Sequence, residues 1–257
     1  MPDADPKNSQ LRESTKDYFY KAAEIIHNKF PSVTANQLTI FRAVASMAST
    51  EAMIKSEGRP EFKVASMLGY TAFELADGVD GNLANIRAEE ANEPTNLRGN
   101  LYDTISDKTV ETYDCFRIAS RSIENGDQIG ATINILAGIT SALPALFRAK
   151  AEAKNKVVKE SGLGTRPVRS TLIGLNIAFG NNKNVSRVLG ASVLAMNLHT
   201  TRCRISALRN EESKHIVGPL NNDRKQLEAR LRYPSLVAFS AISIGVGASM
   251  LKRNRNR

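Results

Sequence analysis

A chain of 257 residues holds one large helical domain or two small ones, and its net charge of +9 points to a polyanionic partner. That partner is nucleic acid, an anionic lipid surface or a phosphorylated substrate. Two cysteines, Cys115 and Cys203, without metal-ligand spacing, exclude a disulfide framework and read as free thiols in a reducing compartment.

Residues 1–35 are charged and lack an apolar core segment, so no signal peptide is expected. β-branched residues seldom alternate with polar ones, and the chain reads as all-α. Residues 11–30 form an amphipathic helix, with Tyr18, Ala22, Ile25, Ile26 and Phe30 at roughly helical spacing. It would lie on a membrane surface or pack on the rest of the domain. A helix over 35–54 ends at the break Gly58-Arg59-Pro60, and one helix is expected over 62–87. A polar loop with Pro94 follows over 88–98, then a helix over 99–122 and the turn Glu124-Asn125-Gly126-Asp127. Beyond a basic connector over 148–169 come helices over 170–182 and 188–201, a basic polar region to residue 232 and a last apolar helix.

Mean hydropathy is slightly negative, at −0.29. Yet residues 128–147 and 234–251 carry no charge over close to the ~20 residues a bilayer span needs. Both are rich in Gly, Ala and Ser, as closely packed membrane helices are, although buried helices of a soluble bundle share that composition.

The chemistry concentrates in two stretches. On a helix, Asp77, Asp80, Gly81 and Ala84 share one face, and Gly99, Asp103 and Asp107 share another. Two neighbouring antiparallel helices would aim four carboxylates into one space, with small residues beside them where a backbone or nucleotide can approach. Crowded carboxylates need a counter-charge, and hard divalent cations supply it in a form suited to phosphoryl chemistry.

The pattern resembles the signature of the CDP-alcohol phosphatidyltransferase family, D-x-x-D-G-x-x-A-R followed by G-x-x-x-D-x-x-x-D. Asp77, Asp80, Gly81, Ala84, Gly99, Asp103 and Asp107 all match. The family's N-x-L-T-x-x-R fits Asn36-Gln37-Leu38-Thr39-Ile40-Phe41-Arg42. Residues 147–152 (FRAKAE) and 164–169 (GTRPVR) are similar to its basic segment after the fourth span. Departures are Asn85 where the family has Arg, with Arg87 two residues on, a long gap between Ala84 and Gly99, and polar spans holding Arg42, Glu51 and Lys55.

The resemblance implies a divergent member, akin to phosphatidylglycerophosphate and phosphatidylinositol-phosphate synthases. Its phosphatidyltransferase domain would cover 35–205, between an N-terminal segment (1–34) and a basic extension (206–257). It implies a polytopic bundle of about six transmembrane helices in the cell membrane, a homodimer, with the site toward the cytoplasm and no nucleic-acid partner. Asp77, Asp80 and Asp103 would hold Mg²⁺ or Mn²⁺ in a two-ion site, and Asp107 would face a metal and act as the base. Asn36, Thr39, Gly81, Asn85, Arg87 and Gly99 would bind the CDP-diacylglycerol donor, and Arg148, Lys150, Arg166, Arg169 and Arg202 the phosphate of an alcohol acceptor such as glycerol 3-phosphate or inositol phosphate. Segment 234–251 breaks the six-span scheme, since spanning would put the basic tail 252–257 outside. It is expected to be re-entrant, interfacial or part of a variant topology. The alternatives are an inactive or substrate-switched member, and a soluble basic helical protein that binds nucleic acid.

Overall fold

Helices account for nearly all of the computed structural model, which describes residues 6–56, 59–92, 99–154, 156–158, 166–209, 217–219 and 223–255. In order they are α1 (Pro6–Lys29), α2 (Ala35–Lys55), α3 (Pro60–Leu75), α4 (Asp77–Glu90), α5 (Gly99–Glu124), α6 (Gln128–Thr140) and α7 (Leu143–Ala153). Then come β1 (Lys156–Val158), α8 (Arg166–Phe179), α9 (Lys183–Arg209), β2 (Val217–Pro219) and α10 (Asp223–Arg255). Thr34 and Gln37 close a reciprocal capping box at the start of α2, and Pro60 stands at the first position of α3, where its missing N–H costs nothing. Between α5 and α6, Gly126 turns the chain at φ +67° and the Asp127 carboxylate caps Gly130 N–H at 3.0 Å.

Three sequence expectations are corrected. The helix expected over 62–87 is two, because the chain breaks at Ala76 and restarts with Asp77 and Asp80 in the positive first turn of α4. The second of them, α4, is 14 residues or about 21 Å long and packs on α1 and α2. The apolar run over 128–147 also divides, at Ser141–Ala142, where Pro144 cannot continue the preceding turn. The connector over 148–169 holds regular structure: α7 continues to Ala153, and β1 pairs antiparallel with β2 (Lys156↔Pro219, Val158↔Val217), the one strand pair among the described residues.

The N-terminal helix is present, and of the residues read from its spacing Ala22 and Ile26 pack on the rest of the fold. Phe19, Ala22, Ala23 and Ile26 pack with Leu38, Val79, Leu83 and Ile86, whereas Tyr18, Ile25 and Phe30 are exposed. Gly78 permits this docking, since a Cβ there would meet the Phe19 ring at 2.5 Å. Gly78→Val is therefore expected to lift α1 off α4. Limited proteolysis should then cut within the first 30 residues, and a cleavage pattern equal to wild type would refute the role.

The last helix crosses the full depth of the bundle, antiparallel to α6 and α7. Its first half meets the end of α7, through Arg232 on Glu152 at 2.7 Å and Lys150 over the Tyr233 ring at 6.0 Å. Farther on, Gly247 lies against Ile135 and Ile139 of α6. It is one continuous helix from Asp223 to Arg255.

Two helical segments are long and apolar enough to cross a membrane, Gln128–Ala153 and Ala229–Lys252. The other long helices carry charges, and several of these turn inward. Thr50 of α2 and Tyr70 of α3 both donate to the fully buried Asp114 of α5, at 2.8 and 3.1 Å. Glu51 takes Arg117 and the Tyr113 hydroxyl, and Arg121 donates to the Asn176 and Ile177 carbonyls. Phe41, Val44, Phe62, Val64, Leu68 and Val188 meanwhile face outward. This inside-out distribution explains how average hydropathy stays low in a bundle with an apolar exterior.

Candidate active site

Four elements meet at one end of the bundle, the N-terminal parts of α2, α4, α5 and α8. The helical spacing read from the sequence brings Asp77 of α4 and Asp103 and Asp107 of α5 together, one oxygen of each within 4.8 Å of the others. Asp107 is buried and Asp77 and Asp103 are partly exposed, so the cluster has an inner and an outer side. Asp80 stands beside the triad with both oxygens hydrogen-bonded, Oδ2 to the Thr39 hydroxyl at 2.6 Å and Oδ1 to Gly81 N–H at 2.8 Å.

Two guanidinium groups offset part of the charge of these carboxylates. One nitrogen of Arg42, Nη2, lies 2.9 Å from Asp77 Oδ1, 3.3 Å from Asp103 Oδ1 and 2.8 Å from Asp107 Oδ1. Arg166, the first residue of α8, clasps Asp77 Oδ2 through Nη1, while its Nη2 lies 2.7 Å from Asp107 Oδ1 and 3.6 Å from Glu74. Burial alone would push both α4 carboxyls up. At Asp77 the Arg166 hydrogen bond and the two positive charges outweigh it and hold the group below its ordinary value. At Asp80 burial prevails over the Thr39 bond and the Arg42 charge, and the group is raised.

The donor set suits a hard divalent cation. All three converging ligands are carboxylate oxygens, the chemistry that Mg²⁺ and Mn²⁺ prefer. Neighbouring ligands of an octahedral Mg²⁺ stand about 3 Å apart and opposite ones about 4.2 Å, so the three oxygens would draw together around an ion. Asp77 Oδ1 is a buried oxygen that the Arg42 ion pair holds without a well-directed hydrogen bond.

The remaining site residues of the sequence reading scatter more widely. Asn36 is half-buried at the start of α2, and Gly81 is exposed, with no atom within 4 Å of where a Cβ would stand. Asn85 is exposed, and Arg87 is engaged away from the aspartates, donating to the Pro31 carbonyl at 2.8 Å. Gly99 opens α5. Of the five basic residues read as acceptor ligands, Arg166 reaches the carboxylates directly. Arg169, one turn on, is buried against Glu111 at 3.3 Å, where Lys108 also pairs at 2.6 Å. Arg148 pairs with Glu152 at 2.8 Å, Lys150 faces Tyr233, and Arg202 is exposed on α9. Sequence reasoning assigned no role at the cluster to Arg42. The signal was there, since Arg42 is the lone charge between Ala35 and Thr50 and a charge in such a helix needs a partner.

No family model matches the chain, and no curated protein matches it. The arrangement of helices is nevertheless the fold of a CDP-alcohol phosphatidyltransferase. It is similar to the crystal structure of Mycobacterium tuberculosis phosphatidylinositol phosphate synthase (PgsA1) with CDP-DAG bound, at a TM-score of 0.56 and 18% identity, over 74% of this chain and 92% of that one. At that identity the likeness is one of fold, and the aspartate cluster is this chain's own evidence for chemistry.

Proposed function

We propose that this protein is a multi-pass membrane enzyme that transfers a phosphatidyl group from CDP-diacylglycerol to an alcohol and releases CMP. The observation that carries the reading is the convergence of Asp77, Asp103 and Asp107, in a fold shared with a protein crystallised with CDP-DAG. Divalent cations held by those carboxylates, Mg²⁺ or Mn²⁺, would offset the charge of the donor's pyrophosphate and of the departing CMP. Asp107 takes the proton as the acceptor hydroxyl bonds to the lipid-side phosphorus and the bond to the CMP oxygen breaks. Both guanidinia address Asp107 Oδ1, and Oδ2 has no hydrogen bond among the described residues and is the oxygen available to the proton. Thr39 fixes Asp80, and Gly81 leaves room for the nucleotide.

The acceptor is a phosphorylated polyol such as glycerol 3-phosphate or inositol phosphate, because arginines at the start of α8 match phosphate oxygens. Purified protein should convert CDP-diacylglycerol to a phosphorylated-headgroup lipid with one of these and not with serine, as mass spectrometry of the product would reveal. A product formed with serine alone would sink the acceptor assignment. A member that has lost activity or changed substrate is the second reading, favoured by Asn85 in place of Arg and by the engagement of Arg87 at Pro31.

With the aspartates assigned to the cytoplasmic face, and α2, α3, α5, α6–α7, α8, α9 and α10 crossing the bilayer in chain order, the basic tail 252–257 falls on the opposite side. This departs from the positive-inside tendency, and the basic connector over 148–169 on the cytoplasmic side outweighs the tail. In sealed right-side-out vesicles a C-terminal tag should be cleaved by added protease while an N-terminal tag is protected. Protection of both tags together would rule out the seventh crossing.

A further inference from the structure

The carboxylate oxygens that suit a cation are the same ones the two arginines hold, so arginine and cation compete for them. The two guanidinia are not equivalent. Arg42 is anchored on α2 with 4% of its side chain exposed, against 22% for Arg166 at the start of α8. Arg42 also has somewhere to go. Its Nε is buried without a hydrogen-bond partner and lies 3.8 Å from Asp80 Oδ2. A shift of about 1 Å would give Nε that partner and draw Nη2 away from the triad, with the charge still inside the cluster. For Arg166 the way out is toward solvent or a bound anion.

Charge decides how many cations follow. Asp77, Asp80, Asp103, Asp107 and the neighbouring Glu74 carry five negative charges when ionised, and Arg42 and Arg166 offset two of them. One divalent cation leaves the cluster close to neutral. A second would leave it net positive in a partly buried space, which is unfavourable unless Arg166 departs or new negative charge arrives. A pyrophosphate supplies that charge and also gives Arg166 bidentate oxygens to turn to.

We propose that Arg166 is a charge gate: by itself the site takes one divalent cation, and it takes the second only together with a CDP-bearing donor. The proposal rests on the transferase reading and adds an order of assembly to it. Arg166 is then a positioning residue that ties cation loading to donor binding, and the two ligands strengthen each other reciprocally.

Mn²⁺ binding to the full-length protein in detergent, followed by electron paramagnetic resonance and calorimetry, tests it. Wild type should bind one Mn²⁺ per chain alone and two with CDP, while CMP, which lacks the pyrophosphate, should not recruit the second. Arg166→Gln should bind two without CDP, with the first at least about tenfold tighter, and Arg166→Lys should restore the wild-type stoichiometry. Two ions bound by wild type without CDP would overturn the gate, as would an Arg166→Gln protein that titrates like wild type. The wild-type comparison needs no variant to fold. If no Mn²⁺ binds under any condition, the transferase reading fails as well. One ion with and without CDP in a protein that releases CMP defeats the gate alone.

Discussion

Asp107→Asn is expected to lower turnover by about 10²- to 10⁴-fold while CDP-diacylglycerol still binds within a few-fold of wild type. The substitution keeps the shape of the side chain and an oxygen for Arg42 and Arg166 to hydrogen-bond. What it removes is the capacity to accept a proton at Oδ2. A general base acts in the transition state, so kcat should fall far more than donor affinity does. Asp107 is buried on the inner side of the cluster, and water cannot readily replace it. Parallel rate and donor-binding measurements separate the roles. Loss of binding in proportion to rate would make Asp107 a structural ligand, and near-wild-type turnover would remove it from the mechanism.

Arg42→Met is expected to be the most damaging change to stability. One buried guanidinium nitrogen sits among three carboxylate oxygens, and its Nε faces a fourth carboxylate. Methionine fills similar space, so packing is largely kept and the loss is electrostatic. Breaking a buried charge pair by removing one partner costs about 3–5 kcal/mol, because the remaining charges are left uncompensated. The detergent-solubilised variant should lose on the order of 10 °C in Tm. Millimolar Mn²⁺ should recover more of that loss than it adds to wild type, since a cation can replace the missing positive charge. An unchanged Tm would mean that the carboxylates are neutral or already compensated from elsewhere.

The centre of the site was legible because helical spacing is a strong constraint. Asp103 and Asp107, four residues apart on α5, could only share a face, and the DxxDG segment supplied Asp77 on a neighbouring helix. Asp80 was read as an equal partner, yet it turned to Thr39 and Gly81 N–H, a choice set by where α2 and α4 cross. The break at Ala76 left no breaker in the sequence to announce it. It follows from the docking of α4 on α1, which depends on a glycine–phenylalanine contact 59 positions apart, Gly78 on Phe19. Arg166 was read as an acceptor ligand because GTRPVR resembles the family's basic segment, and tertiary structure gave it carboxylate partners. Segment 234–251 was apolar on every side, so its pattern could not reveal which neighbour it would run beside. The low mean hydropathy misled for a related reason, as composition cannot say that Asp114, Arg121 and Glu51 face inward.

The most direct test of the central claim is CMP release from CDP-diacylglycerol by the purified wild-type protein, with Mg²⁺ and a panel of phosphorylated and unphosphorylated alcohols. Release that depends on an acceptor, stops on chelation, returns with Mg²⁺ or Mn²⁺ and is absent from Asp107→Asn is the predicted result. A protein that binds the donor and divalent cations yet releases no CMP with any acceptor would contradict it, leaving an aspartate cluster that binds without transferring.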